Sequence, residues 1–146
     1  MRLKIDFLYG YSNILDAFEK LKNSFFDFSG NLSEYVKKIS NNGVIMAAYD
    51  EMGKVCALIA FYSNNIEEKV AFLTSVLVRE DRQGQGLGTA LLNEFEKYSI
   101  NAGMKELRLE VNKKNQRAIT IYKKCGYTEY HKKEDTIIMK KDLKHV

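Results

Sequence analysis

The chain has 146 residues, 45% hydrophobic residues and a net charge of +4, which predicts a single domain over residues 1–146 with a core of its own. It contains no apolar segment of membrane-spanning length and no hydrophobic signal core at its start, so we expect a cytoplasmic protein without a membrane partner. Its two histidines lie outside any cysteine cluster, so we expect no metal, and we expect Cys56 and Cys125 to be buried, reduced thiols.

The first half of the chain predicts a strand, two helices and a hairpin. Alternating apolar residues indicate the strand, apolar residues at helical spacing indicate the helices, and a turn at 50–54 joins the hairpin strands. We predict, in chain order, a strand over 3–7, a helix from Asn13 to about Phe26, a short helix after Ser33 that stops at Gly43, and strands over 44–49 and 55–62.

The second half predicts alternating strands and helices and then a closing pair of strands. We predict a strand over 70–78, a glycine loop, a helix from Leu87 to Ala102 with Gly103 as its C-cap, a strand over 106–111, a helix over 115–124, and strands over 128–131 and 136–139. The strand–helix–strand unit over 70–111 favours a parallel pair with a right-handed crossover. The predicted fold class is therefore α/β, with an α+β-type mixed sheet that is mostly antiparallel and has helices on both faces.

The most informative segment is the glycine-rich turn over 83–89, between a strand and a helix. Glycines allow close approach of the backbone to a ligand, and a helix N-terminus attracts anions, so the turn predicts a pyrophosphate site. A P-loop is excluded because Thr89 follows Gly88 with no lysine. A dinucleotide fingerprint fits Gly84 and Gly86 and would place Glu110 near a ribose, but its third glycine is replaced by Thr89. A turn that merely packs a helix onto the sheet stays open.

The remaining interpretation comes from a family resemblance. The Q-x-x-G-x-G pattern over 83–88 resembles the acetyl-CoA pyrophosphate loop of the GNAT superfamily of N-acetyltransferases. A second motif agrees, with a strand at 107–112, then Asn115, Ala118 and Tyr122, and an aromatic residue after a glycine at 126–127. The resemblance covers about residues 70–130, and the second motif is similar to the ribosomal-protein N-terminal acetyltransferase subgroup. It implies a GNAT-like acyl-CoA N-acyltransferase fold, whose sheet opens between its fourth and fifth strands to admit pantetheine.

The resemblance also implies acetyl-CoA as cosubstrate and assigns residues to it. The backbone of Leu77 and Val78 would pair with pantetheine, and Asn115, Ala118 and Tyr122 would line the arm. The pyrophosphate would be held by the backbone amides of Gln83, Gly84, Gln85, Gly86, Leu87, Gly88 and Thr89. Four basic residues are either partners of the 3′-phosphate or simply solvated: Arg79, Arg82, Arg117 and Lys123.

Acetyl transfer to an amine requires a base, because the amine is protonated near pH 7, and an acid for the departing thiolate. The resemblance makes Tyr122 the candidate acid, although a tyrosine that only fills the core is the alternative. It makes Glu110 the candidate base, although a glutamate on a solvated strand face explains it too. The strand over 70–78 carries no carboxylate, so the alternative to Glu110 as the base is a chain of water molecules.

The acceptor is the least determined element. Residues between the first and third strands form either an acceptor wall or ordinary core, and they are rich in aromatics: Tyr9, Tyr11, Phe18, Phe25, Phe26, Phe28 and Tyr35. We expect a small-molecule amine, an amino sugar or a protein N-terminus. Residues 101–146 carry 12 Lys and Arg against 6 Asp and Glu, which suits CoA, but their scatter argues against nucleic acid. A non-catalytic acyl-CoA-binding or sensing module, a nucleotide-binding protein of another fold and a homodimeric state stay open.

Overall fold

The computed structural model describes residues 3–21 and 31–144. Its elements follow the predicted order. They are β1 (Lys4–Phe7), α1 (Tyr11–Leu21), α2 (Leu32–Asn42), β2 (Val44–Tyr49), β3 (Val55–Asn65), β4 (Val70–Val78), α3 (Leu87–Asn101), β5 (Glu106–Asn112), α4 (Gln116–Lys124), β6 (Thr128–Lys132) and β7 (Thr136–Asp142). A short 3-10 turn, Glu80–Arg82, precedes the glycine loop.

Several predicted boundaries are wrong by one to three residues. The first helix begins at Tyr11 rather than Asn13, and its predicted end at Phe26 lies outside the described residues. The second helix begins before Ser33, because the Asn31 side chain caps it by accepting from the Glu34 N–H. α3 has Ala102 rather than Gly103 as its C-cap; Gly103 follows in the left-handed region at φ 83°. The shift of α2 follows from its capping side chain, and the end of α3 is set by the backbone N–H of Ala102, which donates to the Tyr98 and Ile100 carbonyls.

The seven strands form one sheet in the order β1-β2-β3-β4-β5-β7-β6. β4 and β5 run parallel, as the strand–helix–strand unit predicted, and all other neighbours run antiparallel. The mixed, mostly antiparallel sheet is therefore confirmed. β7 lies between β5 and β6, so the last hairpin joins the sheet through its second strand.

Helices cover both faces of the sheet, as predicted. Ile14 and Phe18 of α1 and Val36 of α2 are buried against β2 and β3 on one face. Phe95 of α3 and Ile119 of α4 are buried in a larger cluster on the other face. Each helix thus stabilises the sheet through one apolar stripe, at about 25 cal/mol per Å² of apolar surface removed from water.

The parallel pair is short, and this opens the sheet. β4 and β5 are paired only over Val70–Leu73 and Glu106–Leu109, after which the two strands separate. At the same point the pairing of β4 with β3 skips Thr74, because Ala60 faces Ser75 while Phe61 faces Leu73. Thr74 is therefore the extra residue of a β-bulge, and a bulge bends its strand and increases its twist. The bend turns the second half of β4 away from β5.

The bulge also reverses which side chains of β4 point to which face. Before it, Ala71 and Leu73 are buried in the cluster beneath α3 and α4. After it, Leu77 is buried in the cluster beneath α1 and α2, while Val78 is buried beneath α3 and α4. Since side chains of a regular strand alternate with period two, one inserted residue accounts for the change.

Candidate active site

The separation of β4 from β5 creates a cleft of about 740 Å³. Its walls come from both strands, the glycine loop and α4. The cleft brings together most of the residues predicted to form the site: Val78, Gln83, Gly84, Gly86, Leu87, Gly88, Thr89, Glu110, Asn115, Ala118 and Tyr122. Leu77 and Gln85 do not line it. The Leu77 side chain is buried beneath α1 and α2, and the Gln85 amide lies 3.5 Å from the Asp81 carbonyl.

The glycine loop has the geometry of an anion site. Gly84 and Gly86 adopt left-handed conformations, with φ of 79° and 83°, and no heavy atom lies within 4 Å of a Cβ built on either. Gly86 is the N-cap of α3 and makes no side-chain capping bond. The N–H groups of the first helical turn therefore remain available for an anion at the positive end of the helix dipole. The open space beside the glycines fits a diphosphate.

The turn between β2 and β3 anchors the approach to this loop. Arg79 donates to Asp50 at 3.0 Å and to Asp81 at 2.6 Å, and Arg82 donates to Glu51 at 2.6 Å. The Asp81 carboxylate, with Asp50 adding to it, raises the pKa of the Arg79 guanidinium. A backbone N–H bond from Lys54, with the Arg79 side chain adding to it, lowers the pKa of the Asp50 carboxyl. The turn thus fixes the segment that enters the loop.

The cations suggested for the 3′-phosphate are not equivalent in the structure. Arg79 is held by two carboxylates and does not line the cleft, whereas Arg82 and Arg117 do. On α4 it is Lys124, not Lys123, that reaches the lining. Lys124 was not predicted, although its position seven residues after Arg117 puts both on one helix face.

Gln83 links the two sides of the cleft. Its Nε2 donates to the Val78 carbonyl at 3.0 Å, and its Oε1 accepts from Arg117 Nη1 at 2.8 Å. The Val78 carbonyl was predicted to pair with pantetheine, and in this structure it already has a donor. Only the backbone amide of Gln83 was predicted to belong to the site, and this bridging role of its side chain was not foreseen.

Tyr122 projects from α4 into the cleft wall. Its ring is partly exposed and makes an edge contact with Tyr127, at 5.9 Å between centroids. Burial among these groups, with the Cys125 thiol adding to it, raises the pKa of Tyr122 to about 12. Among the described residues its hydroxyl has no hydrogen-bond partner. The phenol is therefore protonated at neutral pH and free to donate into the cleft.

The other two residues of the predicted motif, at the start of α4 and within it, have local structural roles. Asn115 is the N-cap of α4, and its Oδ1 accepts from the Ala118 N–H at 3.2 Å. Ala118 is 6% exposed, and a larger side chain there would reduce the room beside the split. Asn115 thus orients the helix that carries Tyr122, whatever contact it makes with a ligand.

Glu110 lies on β5 at the edge of the cleft. Its Oε2 accepts from Thr136 Oγ1 at 2.6 Å and lies 3.5 Å from Lys133 Nζ, and the side chain is 40% exposed. The apolar residues on either side of it, Leu109 and Val111, are buried, so the predicted alternation of β5 is confirmed. Thr136, which also lines the cleft, was not foreseen as a partner because it lies 26 residues away.

The aromatic residues expected near the acceptor differ in environment. Phe18 is fully buried and contacts Tyr35 edge-on, at 5.5 Å between ring centroids, so core packing is the right interpretation for Phe18. Tyr9 and Tyr11 are 73% and 38% exposed. The three phenylalanines of the same prediction, Phe25, Phe26 and Phe28, lie outside the described residues.

The two cysteines were expected to be buried, reduced thiols. Both thiols are free, and Cys56 is buried, but Cys125 is only partly buried, which corrects the prediction for that residue.

Within residues 3–21 and 31–144, no group of three or more His, Cys, Asp or Glu side chains is placed to hold a metal. In the same residues, every helix is too short or too polar to span a bilayer.

Known proteins resemble this chain in sequence and in fold. The model of the Acetyltransferase (GNAT) family matches residues 14–127. An uncharacterized N-acetyltransferase of Methanocaldococcus jannaschii is 36% identical over 81 residues, which cover 53% of this chain and 36% of that protein. The match thus spans about a third of that relative's length.

Two solved structures share the fold at low sequence identity. The ribosomal-protein-S18-alanine N-acetyltransferase of Escherichia coli has a TM-score of 0.82 at 23% identity, over 99% of this chain and 96% of that one. The PaiA N-acetyltransferase of Thermoplasma acidophilum, solved with coenzyme A, has a TM-score of 0.77 at 17% identity, over 98% and 100% of the two chains.

Proposed function

Because the chain belongs to the GNAT acetyltransferase family, we propose that it transfers the acetyl group of acetyl-CoA directly to a primary amine. The observation that carries the proposal is the opened sheet. One cleft holds an anion cradle at Gly84–Gly88 and, on its walls, a protonated phenol at Tyr122 and a carboxylate at Glu110. These are the groups that a diphosphate-bearing thioester and an attacking amine require.

The dimensions of β4 suit an extended arm. Val78 lies beside the glycine loop and Thr74 lies at the bulge, four residues earlier on the strand. At about 3.3 Å per residue, this part of β4 is roughly 13 Å long. Its unpaired edge faces the cleft, so an arm held at its phosphates can pair with the strand and bring its thioester toward the bulge.

Tyr122, the candidate acid, is proposed to act on the departing sulfur. When the amine nitrogen bonds to the carbonyl carbon, the carbon–sulfur bond breaks and its electron pair leaves on sulfur. A free thiol has a pKa near 8.5, well below the value of about 12 for Tyr122. Complete proton transfer from the phenol to the thiolate is therefore uphill. We infer that Tyr122 acts chiefly as a hydrogen-bond donor that stabilises charge developing on sulfur.

Glu110 is the proposed base, directly or through a water molecule. Its exposed position keeps it in contact with solvent, and the Thr136 hydroxyl and the Lys133 ammonium orient its carboxylate at the edge of the cleft. An ionised carboxylate at the cleft edge can accept the proton that the ammonium acceptor must lose before it attacks. Among the described residues that line the cleft, Glu110 is the only Asp or Glu, so no other carboxylate is proposed as the base.

The acceptor class is proposed more broadly. The Escherichia coli neighbour is named for an alanine of ribosomal protein S18, and its fold is shared, but its identity of 23% carries no substrate to this chain. We therefore propose a primary amine, either of a protein N-terminus, of a small molecule or of an amino sugar.

Two measurements test the proposal. A thermal-shift screen should show clear stabilisation by acetyl-CoA and CoA and little by NAD or ATP. A panel of amines should then be assayed by release of the CoA thiol. Stabilisation by CoA without thiol release for any acceptor would favour a binding or sensing module. A larger shift with NAD than with CoA would refute the proposed cofactor.

A further inference from the structure

Three hydroxyl groups meet at the bulge of β4. The Tyr35 hydroxyl, on α2, lies 2.7 Å from Thr74 Oγ1 and 2.7 Å from Ser75 Oγ. A single side chain reaches two consecutive strand residues here because the bulge turns both toward α2. Thr74 and Ser75 also belong to the cleft lining, so the cluster joins α2 to the deep end of the cleft.

The protons of this cluster can be assigned. Thr74 Oγ1 lies 3.0 Å from the Ala60 carbonyl, which can only accept, so the Thr74 hydroxyl is the donor of that bond. A hydroxyl has one proton, so Tyr35 must donate to Thr74. The Tyr35 proton is then used, and Ser75 must donate to Tyr35. The result is a directed chain in which Ser75 donates to Tyr35, Tyr35 to Thr74, and Thr74 to Ala60.

The direction of the chain determines what Ser75 can offer to a ligand. Its only proton points to Tyr35, so its oxygen keeps lone pairs and acts as an acceptor. Ser75 is 4% exposed, and no other described group donates to its hydroxyl oxygen. An acceptor that lacks a donor in a buried position costs free energy until a ligand supplies one.

The incoming amine is such a donor. Its lone pair must be directed at the thioester carbon, which leaves its N–H groups to be bound elsewhere. We propose that Ser75 accepts one N–H of the acceptor amine and that Tyr35 is a positioning residue that keeps the Ser75 oxygen available for this bond. The inference rests on the proposed function, and it names a specificity contact on the acceptor side of the cleft.

Tyr35→Phe removes the group that receives the Ser75 proton. The Ser75 hydroxyl can then turn its own proton toward the cleft, where it meets the N–H of the amine. We expect KM for the best amine to rise roughly five- to tenfold, the scale of one hydrogen bond. The dissociation constant of acetyl-CoA, measured by titration, should stay within about twofold of the wild type.

Two further variants make the test specific. Ser99→Ala is the matched control, because it removes a buried hydroxyl that lies 2.8 Å from Ser63 Oγ and does not line the cleft. It should change neither constant. Ser75→Ala leaves Tyr35 in place and should raise the amine KM as much as Tyr35→Phe does, and the double variant should be no worse than either single one.

The outcomes separate the possible failures. If Tyr35→Phe behaves like Ser99→Ala in an enzyme that turns over, the inference is wrong and the proposed function stands. If Tyr35→Phe weakens acetyl-CoA as much as the amine, Tyr35 only maintains the shape of the split and the inference is again wrong. Should Tyr35→Phe fail to fold, the Ser75→Ala result decides. If the wild-type protein acetylates no amine, the inference and the proposed function fall together.

Discussion

The cofactor cradle can be tested with a pair of glycines that differ only in location. Gly86 lies in the glycine loop with φ 83°, and Gly53 lies in the turn between β2 and β3 with φ 77°. A Cβ at either position meets no heavy atom within 4 Å. The β-carbon of a valine therefore has room at both positions, but valine forces a branched residue into the left-handed region at about 1–2 kcal/mol or more. Both variants should lose a similar few degrees in melting temperature.

The two variants should differ only when the cofactor is added. A ligand at 100 times its dissociation constant stabilises the folded state by about 2.7 kcal/mol. We expect wild type and Gly53→Val to gain this stabilisation from acetyl-CoA. Gly86→Val should gain little of it, because its side chain occupies the open space that the diphosphate needs.

The assay is a thermal-shift titration with acetyl-CoA at equal protein concentration for the three proteins. The difference in ligand response between the two variants is the informative quantity, since backbone strain cancels between them. A full response from Gly86→Val would show that the diphosphate lies elsewhere. Equal loss of response in both variants would show that strain in any turn of this fold abolishes binding.

Three further changes test the chemistry and the anchoring turn. Tyr122→Phe should lower kcat by roughly two orders of magnitude with acetyl-CoA affinity retained, because only the hydrogen-bond donor to sulfur is lost; normal turnover would make Tyr122 a packing residue. Glu110→Gln should lose rate near pH 7, with the loss shrinking as pH approaches the pKa of the amine, whereas an unchanged pH–rate profile would return the base role to water. Asp50→Asn should destabilise the protein at pH 7 in urea denaturation. Because the Asp50 pKa is lowered on folding, that difference should vanish as pH falls through its folded-state value, and a difference constant from pH 7 to pH 2 would contradict the ion-pair explanation.

The element order was predictable because each element has a strong local signal. Alternation of apolar residues over β5 and the glycine-to-helix transition at Leu87 depend on neighbours in sequence alone. The opening of the sheet has a weaker signal. The phase of buried residues on β4 changes between Leu73 and Leu77, but the strand is apolar almost throughout, so the extra residue at Thr74 is not visible in its pattern.

The sequence predicted only those residues of the site that belong to recognisable motifs. The resemblance pointed to Tyr122 and the glycine loop, and the structure places them on one cleft. It could not show that Arg79 is held by Asp50, 29 residues away, because ion pairs depend on tertiary packing. The hydroxyl chain through Tyr35 was missed for the same reason, since α2 and β4 are about 40 residues apart.

The bridge through Gln83 affects how acetyl-CoA binding should be understood. The Val78 carbonyl is already an acceptor for Gln83, and Gln83 in turn accepts from Arg117. If an amide N–H of pantetheine replaces Gln83 at Val78, one neutral hydrogen bond is exchanged for another, with little net gain. In the same exchange we expect the Arg117 guanidinium to replace its bond to the neutral Gln83 amide by one to a phosphate of the cofactor. A bond from arginine to a phosphate oxygen is about twice as strong as a neutral one. If acetyl-CoA binds as proposed, we therefore expect the charged end of the cofactor to supply most of the free energy of binding and the strand edge to position the thioester near Tyr122 and Glu110.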